Sequence, residues 1–239
     1  MAQSVGNAKN ILVGASPLFL SNVDVNDADY IANAEPGVTV AVSATLVPQT
    51  VGVPAFASAT SYATTLNGVT QEAGKFGYRN VGFTNNGLQI TYNPTFDSVT
   101  VDQLLDTAKL FKSAMEVMIA TEMSEGTLEN IVTVFGQNQD SLSTSGTGLT
   151  KVDTLKIAAG ALGAAPTERQ LIAIGQAPTA SSTASERIYY ARRVLSVQQS
   201  QFSLARTTAT TFPVTFRLLP DANYSGSEYG KIIDRVLVV

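Results

Sequence analysis

Residues 85–94 read NNGLQITYNP, and they carry the clearest structural pattern in the chain. Leu88, Ile90 and Tyr92 alternate with polar residues, which is the period of a half-buried β-strand. The Asn-Asn-Gly sequence ahead of them indicates a turn, because asparagine and glycine tolerate positive φ. Pro94 should end the strand, since proline cannot donate a hydrogen bond to a neighbouring strand. The pattern therefore predicts one β-strand that follows a turn and ends at Pro94.

Similar segments elsewhere bring the expected total to about eight to ten strands. They cover residues 11–20, 37–47, 154–160, 169–175, 186–205, 212–219 and 232–239. Runs of strands without alternating βα units favour an antiparallel β-sandwich or barrel. We expect a mainly β fold in a single domain over residues 1–239, with long loops or insertions at about 37–72 and 137–152.

One short flanking α-helix is predicted at about residues 125–135. Ser124 can cap its beginning, and Gly136 can supply the left-handed stop. A helix this short is not stable alone and must pack an apolar stripe on a sheet. The stripe with helical spacing comprises Leu128, Ile131, Val132 and Phe135.

The composition argues against an enzyme. The chain has no histidine and no cysteine, so it lacks the commonest general base, the commonest metal ligand and any thiolate nucleophile. Ser-His-Asp and Cys-His arrangements are therefore impossible. The acidic residues of 22–35 lack the glycine and glutamate of a calcium loop. We predict no catalytic residue, no metal site and no cofactor.

The charge content is low. Charged residues make up 14% of the chain, against about 25% in a typical globular protein. Low surface charge favours association, although a neutral monomer fits the composition equally well. The net charge is −4 without a basic block, so the electrostatic footprint of nucleic-acid binding is missing. Arg192-Arg193, the one basic pair, is expected on the solvated surface. The first ten residues do not resemble a signal peptide, and no stretch of about 20 apolar residues predicts a membrane span.

Three segments, in the same order along the chain, resemble the tail tube proteins of long-tailed siphophages. The first is VGFTNNGLQITYNP followed by SVTVDQ, with the matching positions Gly82–Thr84, Gly87–Tyr92 and Val101–Gln103. The second, SEGTLENIVTVFG, is similar to the beginning of that family's helix. The third, FPVTFRLLPD, is similar to a late strand that ends in a Pro-Asp turn. The opening NILVGASPLFL also fits an N-terminal strand of the family. Together these segments cover a little under half of the chain.

The resemblance implies a tail-tube β-sandwich or barrel whose subunits close into rings of six. The inner strands would form one continuous barrel, and the rings would stack into a hollow tube through which DNA leaves the virion. It also favours a strand over residues 108–122, a segment whose composition suits a helix equally well. The implied partners are further copies of the chain and the tape measure, tail tip and tail terminator proteins. DNA would pass without specific binding, and the protein would be assembled in the host cytoplasm and reside in the virion tail.

Under this resemblance three acidic residues are candidates for the lumen of the tube. Asp102, Glu116 and Glu122 lie on or beside the polar faces of the expected inner strands, where negative charge would repel DNA phosphates. An ordinary outer solvated face fits these residues nearly as well. The polar loops 94–107 and 137–152, together with both termini, are candidates for contacts between rings.

Other functions fit parts of the same pattern. An inner tube protein of a contractile tail or injection system would share the fold and would have a sheath as its partner. A monomeric β-sandwich binding module, such as an adhesin domain, would be expected to carry an export signal. An enzyme would need carboxylate-only catalysis.

Overall fold

The computed structural model describes residues 18–21, 65–66, 69–70, 78–102, 106–138, 141–159, 162–163, 166–177, 185–197, 200–202, 204 and 209–236. Within these ranges the protein is mainly β and antiparallel with one short α-helix, as the sequence predicts. The strands are β1 (Leu18–Ser21), β2 (Thr65–Leu66), β3 (Val69–Thr70), β4 (Tyr78–Asn80), β5 (Thr84–Thr100), β6 (Thr107–Met123), β7 (Leu142–Ser145), β8 (Val152–Leu155), β9 (Arg169–Gln176), β10 (Ser185–Ser196), β11 (Phe212–Leu218) and β12 (Gly230–Val236). The helix is α1 (Leu128–Val134). The strand expected at 37–47 and most of the N-terminal one lie outside the described residues.

Strand β10 is the centre of the largest sheet. Eight of the described strands form this sheet, in the order β4-β1-β9-β10-β11-β6-β5, with β12 also paired to β10. β12 pairs with one edge of β10 along Ser185–Ala191, and β11 pairs with the same edge at Val194–Ser196. The pairing of β10 with β9 on the other edge is irregular at the same place, so the sheet divides there into two wings. Among the described strands, the end strands β4 and β5 do not pair with each other, so the sheet is open.

The main core joins the two wings in a sandwich-like arrangement. It includes Leu18, Leu20, Val81, Val117, Ile119, Met123, Leu171, Val194, Phe212, Val214, Phe216 and Leu218. A second cluster lies on the opposite face of β9 and contains Phe19, Ile172, Ile174, Ile188 and Tyr190. Both faces of β9 are therefore buried, which explains its uninterrupted apolar sequence LIAI.

Helix α1 has a different cap from the expected one. Thr127, and not Ser124, is the N-cap, and its side chain accepts a hydrogen bond from the backbone N–H of Asn130. Ser124 instead donates its backbone N–H to the carbonyl of Phe83, because the chain is still held beside the sheet at that point. Gly136 adopts a φ of +65° and ends the helix as predicted.

The apolar stripe predicted for α1 is only partly its buried face. Val132 is fully buried, Leu128 and Ile131 are half-buried, and Ile131 packs against the main core. Phe135 is exposed, because it is the C-cap and its side chain no longer follows the helical period. The rest of the buried face consists of Asn130, Thr133 and Val134.

Two signals that should have bounded a strand lie inside β5. Asn86 and Gly87 have φ values of +59° and +68°, and they form a bulge at which the register with β6 shifts. Pro94 lies opposite Met115 in the middle of β5, so the prediction that it ends the strand is wrong. An edge strand tolerates proline, because one side of its backbone needs no partner. The strand expected over 108–122 is confirmed as β6.

The segment predicted as a loop at 137–152 contains regular structure. β7 and β8 form a separate two-stranded antiparallel sheet, joined through a short 3₁₀ turn at Gly148–Thr150. Gly146 and Gly148 provide the positive φ values that this reversal requires.

The Arg192-Arg193 pair is not the solvated surface pair that the sequence predicts. Arg192 is buried, and its guanidinium lies 3.5 Å from the centroid of the Tyr224 ring. Its Nε donates to the carbonyl of Ser227 at 2.9 Å. Arg193 forms a bidentate ion pair with Glu168, with contacts of 2.5 and 2.9 Å. Both cations therefore have partners within the fold, an aromatic face and a carbonyl for Arg192 and a carboxylate for Arg193, which replace part of their lost hydration.

Candidate assembly surface

A long two-stranded ribbon is the most prominent feature outside the core. β5 and β6 each contain 17 residues, which at about 3.3 Å per residue gives a hairpin about 55 Å long. β11 pairs with β6 only along Met118–Met123. Beyond that point, β5 and β6 have only each other as partners among the described strands, and residues 106–114 are all exposed. We call residues 90–100 and 107–117 the ribbon.

One face of the ribbon is apolar and continues the face of the sheet that covers the core. Directly opposite residues of an antiparallel pair share a face, so Tyr92 lies beside Val117 and Phe96 lies beside Lys112. Exposed fractions are 44% for Ile90, 59% for Tyr92 and 56% for Phe96. Large aromatic side chains exposed along one stripe are unusual in a monomer and typical of a contact surface.

The opposite face of the same strands is polar along the part of the hairpin next to the sheet. β5 contributes the side chains of Gln89, Thr91, Asn93 and Thr95. A shallow cleft of about 260 Å³ opens on this face and is lined by residues that include Gln89, Glu122, Ser200 and Thr215. Beyond the register shift at Thr95/Phe96, this second face also carries Phe111 and Val99, which are 46% and 43% exposed. The hairpin therefore has one apolar and one polar face near the sheet, and apolar side chains on both faces towards the turn.

Two of the three acidic residues predicted for a lumen share this polar face. Glu116 and Glu122 lie on the same side of β6, six residues or about 20 Å apart. Glu122 accepts a hydrogen bond from the side-chain amide of Asn86 at 3.1 Å, and Glu116 lies 3.6 Å from Nε of Arg217. Asp102 is exposed in the turn at the far end of the ribbon. The structure thus groups two of the candidates and separates the third.

A buried polar junction fixes the base of the ribbon to helix α1. The side-chain amide of Asn130 donates to the carbonyls of Val81 and Glu125 at 2.9 and 2.8 Å. The carboxylate of Glu125 accepts the backbone N–H of Phe83 at 3.0 Å. Gly82 has a φ of +84°, and a Cβ there would lie 2.0 Å from the Glu125 carboxyl carbon. Sequence reasoning missed this junction, although an asparagine inside an apolar helix was the available signal.

A second exposed apolar region lies on and beside the small β7–β8 sheet. It consists of the exposed residues Leu149, Val152 and Ile157, which we call the β7–β8 patch. The sheet is attached near the end of α1, where the side-chain amide of Gln137 donates to the carbonyl of Ala158 at 3.2 Å. An isolated two-stranded sheet is marginally stable in water, so this unit also gains from further contacts.

The described residues contain no group of three or more His, Cys, Asp or Glu side chains arranged to hold a metal ion. No helix in the described part of the chain is both long and apolar enough to cross a membrane. No protein-family model matches the chain, and no curated protein matches its sequence. Three surfaces remain as candidates for a function: the apolar face of the ribbon, the polar face of the same hairpin and the β7–β8 patch.

Proposed function

We propose that this protein is a structural virion protein, the tail tube protein of a long-tailed bacteriophage. Copies of the chain assemble into rings of six subunits, and the rings stack into a hollow tube that conducts DNA. The ordered sequence resemblance suggests the family, and the ribbon is the observation that carries the proposal. A monomer would gain nothing from holding a 55 Å hairpin with exposed aromatic side chains in water.

The free edge of β5 supports self-assembly. In the described part of the sheet, β5 pairs with β6 on one side and has no strand on the other. A long edge strand presents a row of unpaired backbone groups, and proteins normally cover or interrupt such edges. Ring closure covers them, because each subunit offers its edge to the next and no edge remains.

The polar face supports the role of a conduit. A surface of threonine, asparagine and glutamine side chains gives DNA few cationic contacts, and the carboxylates of Glu116 and Glu122 repel phosphate. Arg217 lies beside Glu116, so its charge is partly offset there. In the proposed tube this face lines the lumen, while the apolar face of the ribbon contacts protein.

Negative-stain electron microscopy over a concentration series tests the proposal. Rings or hollow tubes about 100 Å wide are expected, the order of size for a ring of six domains of this length. Some tube proteins need a template, so the same series is repeated with purified tail-tip complex. A monodisperse monomer in both series would refute the proposal and favour the binding-module function. A sheath that binds the resulting tube would instead identify the inner tube of a contractile tail.

A substitution links the ribbon to assembly. Phe96 is 56% exposed, which leaves about 110 Å² of a side chain of about 200 Å² for burial in a contact. At 25 cal/mol per Å² this is worth up to about 2.8 kcal/mol, so Phe96→Ser should raise the critical concentration about 100-fold. Thr95→Ser, on the polar face, is the matched control and should assemble like the wild type. Equal critical concentrations for Phe96→Ser and the wild type would exclude the ribbon as the contact.

A further inference from the structure

We infer that the ribbon of one copy binds the β7–β8 patch of the next copy, so that the contact between copies is head to tail. This inference rests on the proposed self-assembly and goes beyond it by naming both halves of the contact. The two surfaces are the two exposed apolar regions defined above, and each lacks a cover among the described residues.

The turn at the end of the ribbon lies far from the β7–β8 sheet. The ribbon points away from the core, and its turn is about 55 Å from Met123 at the end of β6. α1 begins at Leu128, five residues after Met123, and β7 contacts α1. The backbone N–H of Lys156 donates to the carbonyl of Ser141 at 2.8 Å, which keeps the end of β8 beside the beginning of β7. The ribbon turn of a chain therefore cannot reach its own β7–β8 patch.

A contact between two different surfaces is heterologous. Such a contact leaves one unsatisfied surface at each end of a pair, and it grows into a filament unless a rotation closes it. If two ribbons bound each other instead, the contact would be closed and assembly would stop at the dimer.

The areas suffice for a specific contact. Ile90, Tyr92, Phe96 and Leu110 are 44%, 59%, 56% and 65% exposed, and at about 150–200 Å² per side chain they expose about 400 Å². A matching area on the partner doubles this to about 800 Å² of apolar surface. Since interfaces are about 60% apolar, the total is about 1,300 Å², above the roughly 1,200 Å² at which specific interfaces begin.

The ribbon itself is neutral, since Asp97 and Glu116 balance Lys109 and Lys112, but the turn at its end and the β7–β8 patch carry opposite net charges. Residues 97–106 contain three aspartates and no lysine or arginine, a net charge of −3. Residues 149–157 contain Lys151, Lys156 and Asp153, a net charge of +1. Opposite charges at a contact steer encounter and fix its register. A second ribbon would bring a second acidic turn, so the charges favour the β7–β8 patch as the partner.

Cysteine cross-linking tests the inference cleanly, because the chain has no cysteine of its own. One protein carries Ser98→Cys on the apolar side of the ribbon, opposite Leu110, and another carries Thr154→Cys on the exposed part of β8. The two proteins are mixed under assembly conditions and treated with a short bismaleimide. At a 1:1 ratio one contact in four joins the two cysteines, so up to about half of the protein should form the mixed dimer. Asn93→Cys, on the polar face, replaces Ser98→Cys in the control and should give less than a tenth as much.

The outcomes separate this inference from the proposed function. One outcome is that rings or tubes form while the Ser98→Cys protein cross-links only to itself, or does not cross-link to the Thr154→Cys protein. In that case the head-to-tail pairing is wrong and the tube function stands. If no particles form even with tail-tip complex, both are wrong. Charge reversal gives a second measurement: Lys156→Glu should raise the critical concentration about 10-fold, and Asp102→Lys in the same chain should restore it. Failure of the restoration would exclude pairing between these two charged regions.

Discussion

Asn130→Ala tests how the ribbon is held to the body of the protein. Asn130 is fully buried, and its side-chain amide donates to two backbone carbonyls, of Val81 and Glu125. Val81 precedes β5 and Glu125 follows β6, so one side chain ties both ends of the hairpin to α1. Alanine cannot donate to either carbonyl.

The expected loss follows from those two hydrogen bonds. A buried carbonyl that loses its donor costs about 1–3 kcal/mol, and Val81 itself is buried. Water can reach the Glu125 side of the junction, so that carbonyl should cost near the lower limit. We therefore expect a decrease of about 3 kcal/mol in the free energy of unfolding. For a chain of this length each kcal/mol lowers Tm by about 2–4 °C, which gives a drop of about 6–12 °C.

Urea denaturation followed by circular dichroism measures this loss. Asn93→Ala is the matched control, because Asn93 is an exposed asparagine on the ribbon and should change the free energy by less than about 0.5 kcal/mol. A loss below about 1 kcal/mol for Asn130→Ala would refute the reasoning. It would mean that the two carbonyls find other donors.

Asn130→Asp adds a pH test of the same junction. A carboxylate at this buried site would face two carbonyl oxygens, so its pKa in the folded protein should rise above the ordinary value of about 3.9. The protonated acid can still donate one hydrogen bond. The destabilisation should therefore be smallest below about pH 4 and should grow as the pH rises through the folded pKa. A pH-independent loss would contradict this account.

Two further predictions concern the edge at β12. Gly230→Ala should lower the free energy of unfolding by about 3 kcal/mol in urea denaturation, because its φ is +143° and a Cβ would lie 1.9 Å from the Tyr190 carbonyl oxygen. Gly226 has a φ of +82°, but a Cβ there would meet no atom within 4 Å, so Gly226→Ala should cost only about 1 kcal/mol. Equal losses for the two variants would contradict the clash at Gly230. Arg187 donates two hydrogen bonds to the Asp234 carboxylate, at 2.6 and 2.7 Å, and these lower the pKa of Asp234. The ion pair should therefore stabilise the folded protein above about pH 4, and this stabilisation should be lost as the pH falls through the folded pKa of Asp234. Asp234→Asn should therefore be less stable than the wild type at pH 7 and equal to it near pH 2, and a difference that persists at pH 2 would exclude the ion pair as its cause.

Local patterns predicted much of the secondary structure. The alternation in 212–219 appears as β11, and the apolar run at 169–175 appears as β9. Both patterns are visible in sequence because period-two alternation and continuous burial are properties of a single strand. Gly136 likewise ends α1, because the positive φ of a helix stop depends on one residue.

Signals that depend on neighbours were misread. Asn86-Gly87 and Pro94 are turn and breaker residues by composition, yet they lie within β5 because an edge strand tolerates both. Arg192 and Arg193 look like surface cations, yet Tyr224 and Glu168 surround them. The partners come from distant parts of the chain, and a single sequence gives no measure of that proximity.

The candidate surface was predicted only in part. Asp102, Glu116 and Glu122 were predicted to lie near a lumen, and Glu116 and Glu122 lie on one face of β6, because residues six apart on one strand point the same way. Their place in a lumen stays a prediction. The 55 Å β5–β6 hairpin was not expected, since residues 94–107 are typical of a loop in sequence.

The amino-acid sequence by itself determined that this protein is mainly β, has one short helix, and lacks the histidine and cysteine of common catalytic sites. Those conclusions depend on composition and on periods of two and 3.6 residues. Only the tertiary structure decided that β11 ends partway along β6, which leaves the ribbon and its aromatic side chains exposed. The same side chains would be core residues if one more strand covered them. Exposure depends on which distant segment packs against a strand, and a periodic pattern does not contain that information.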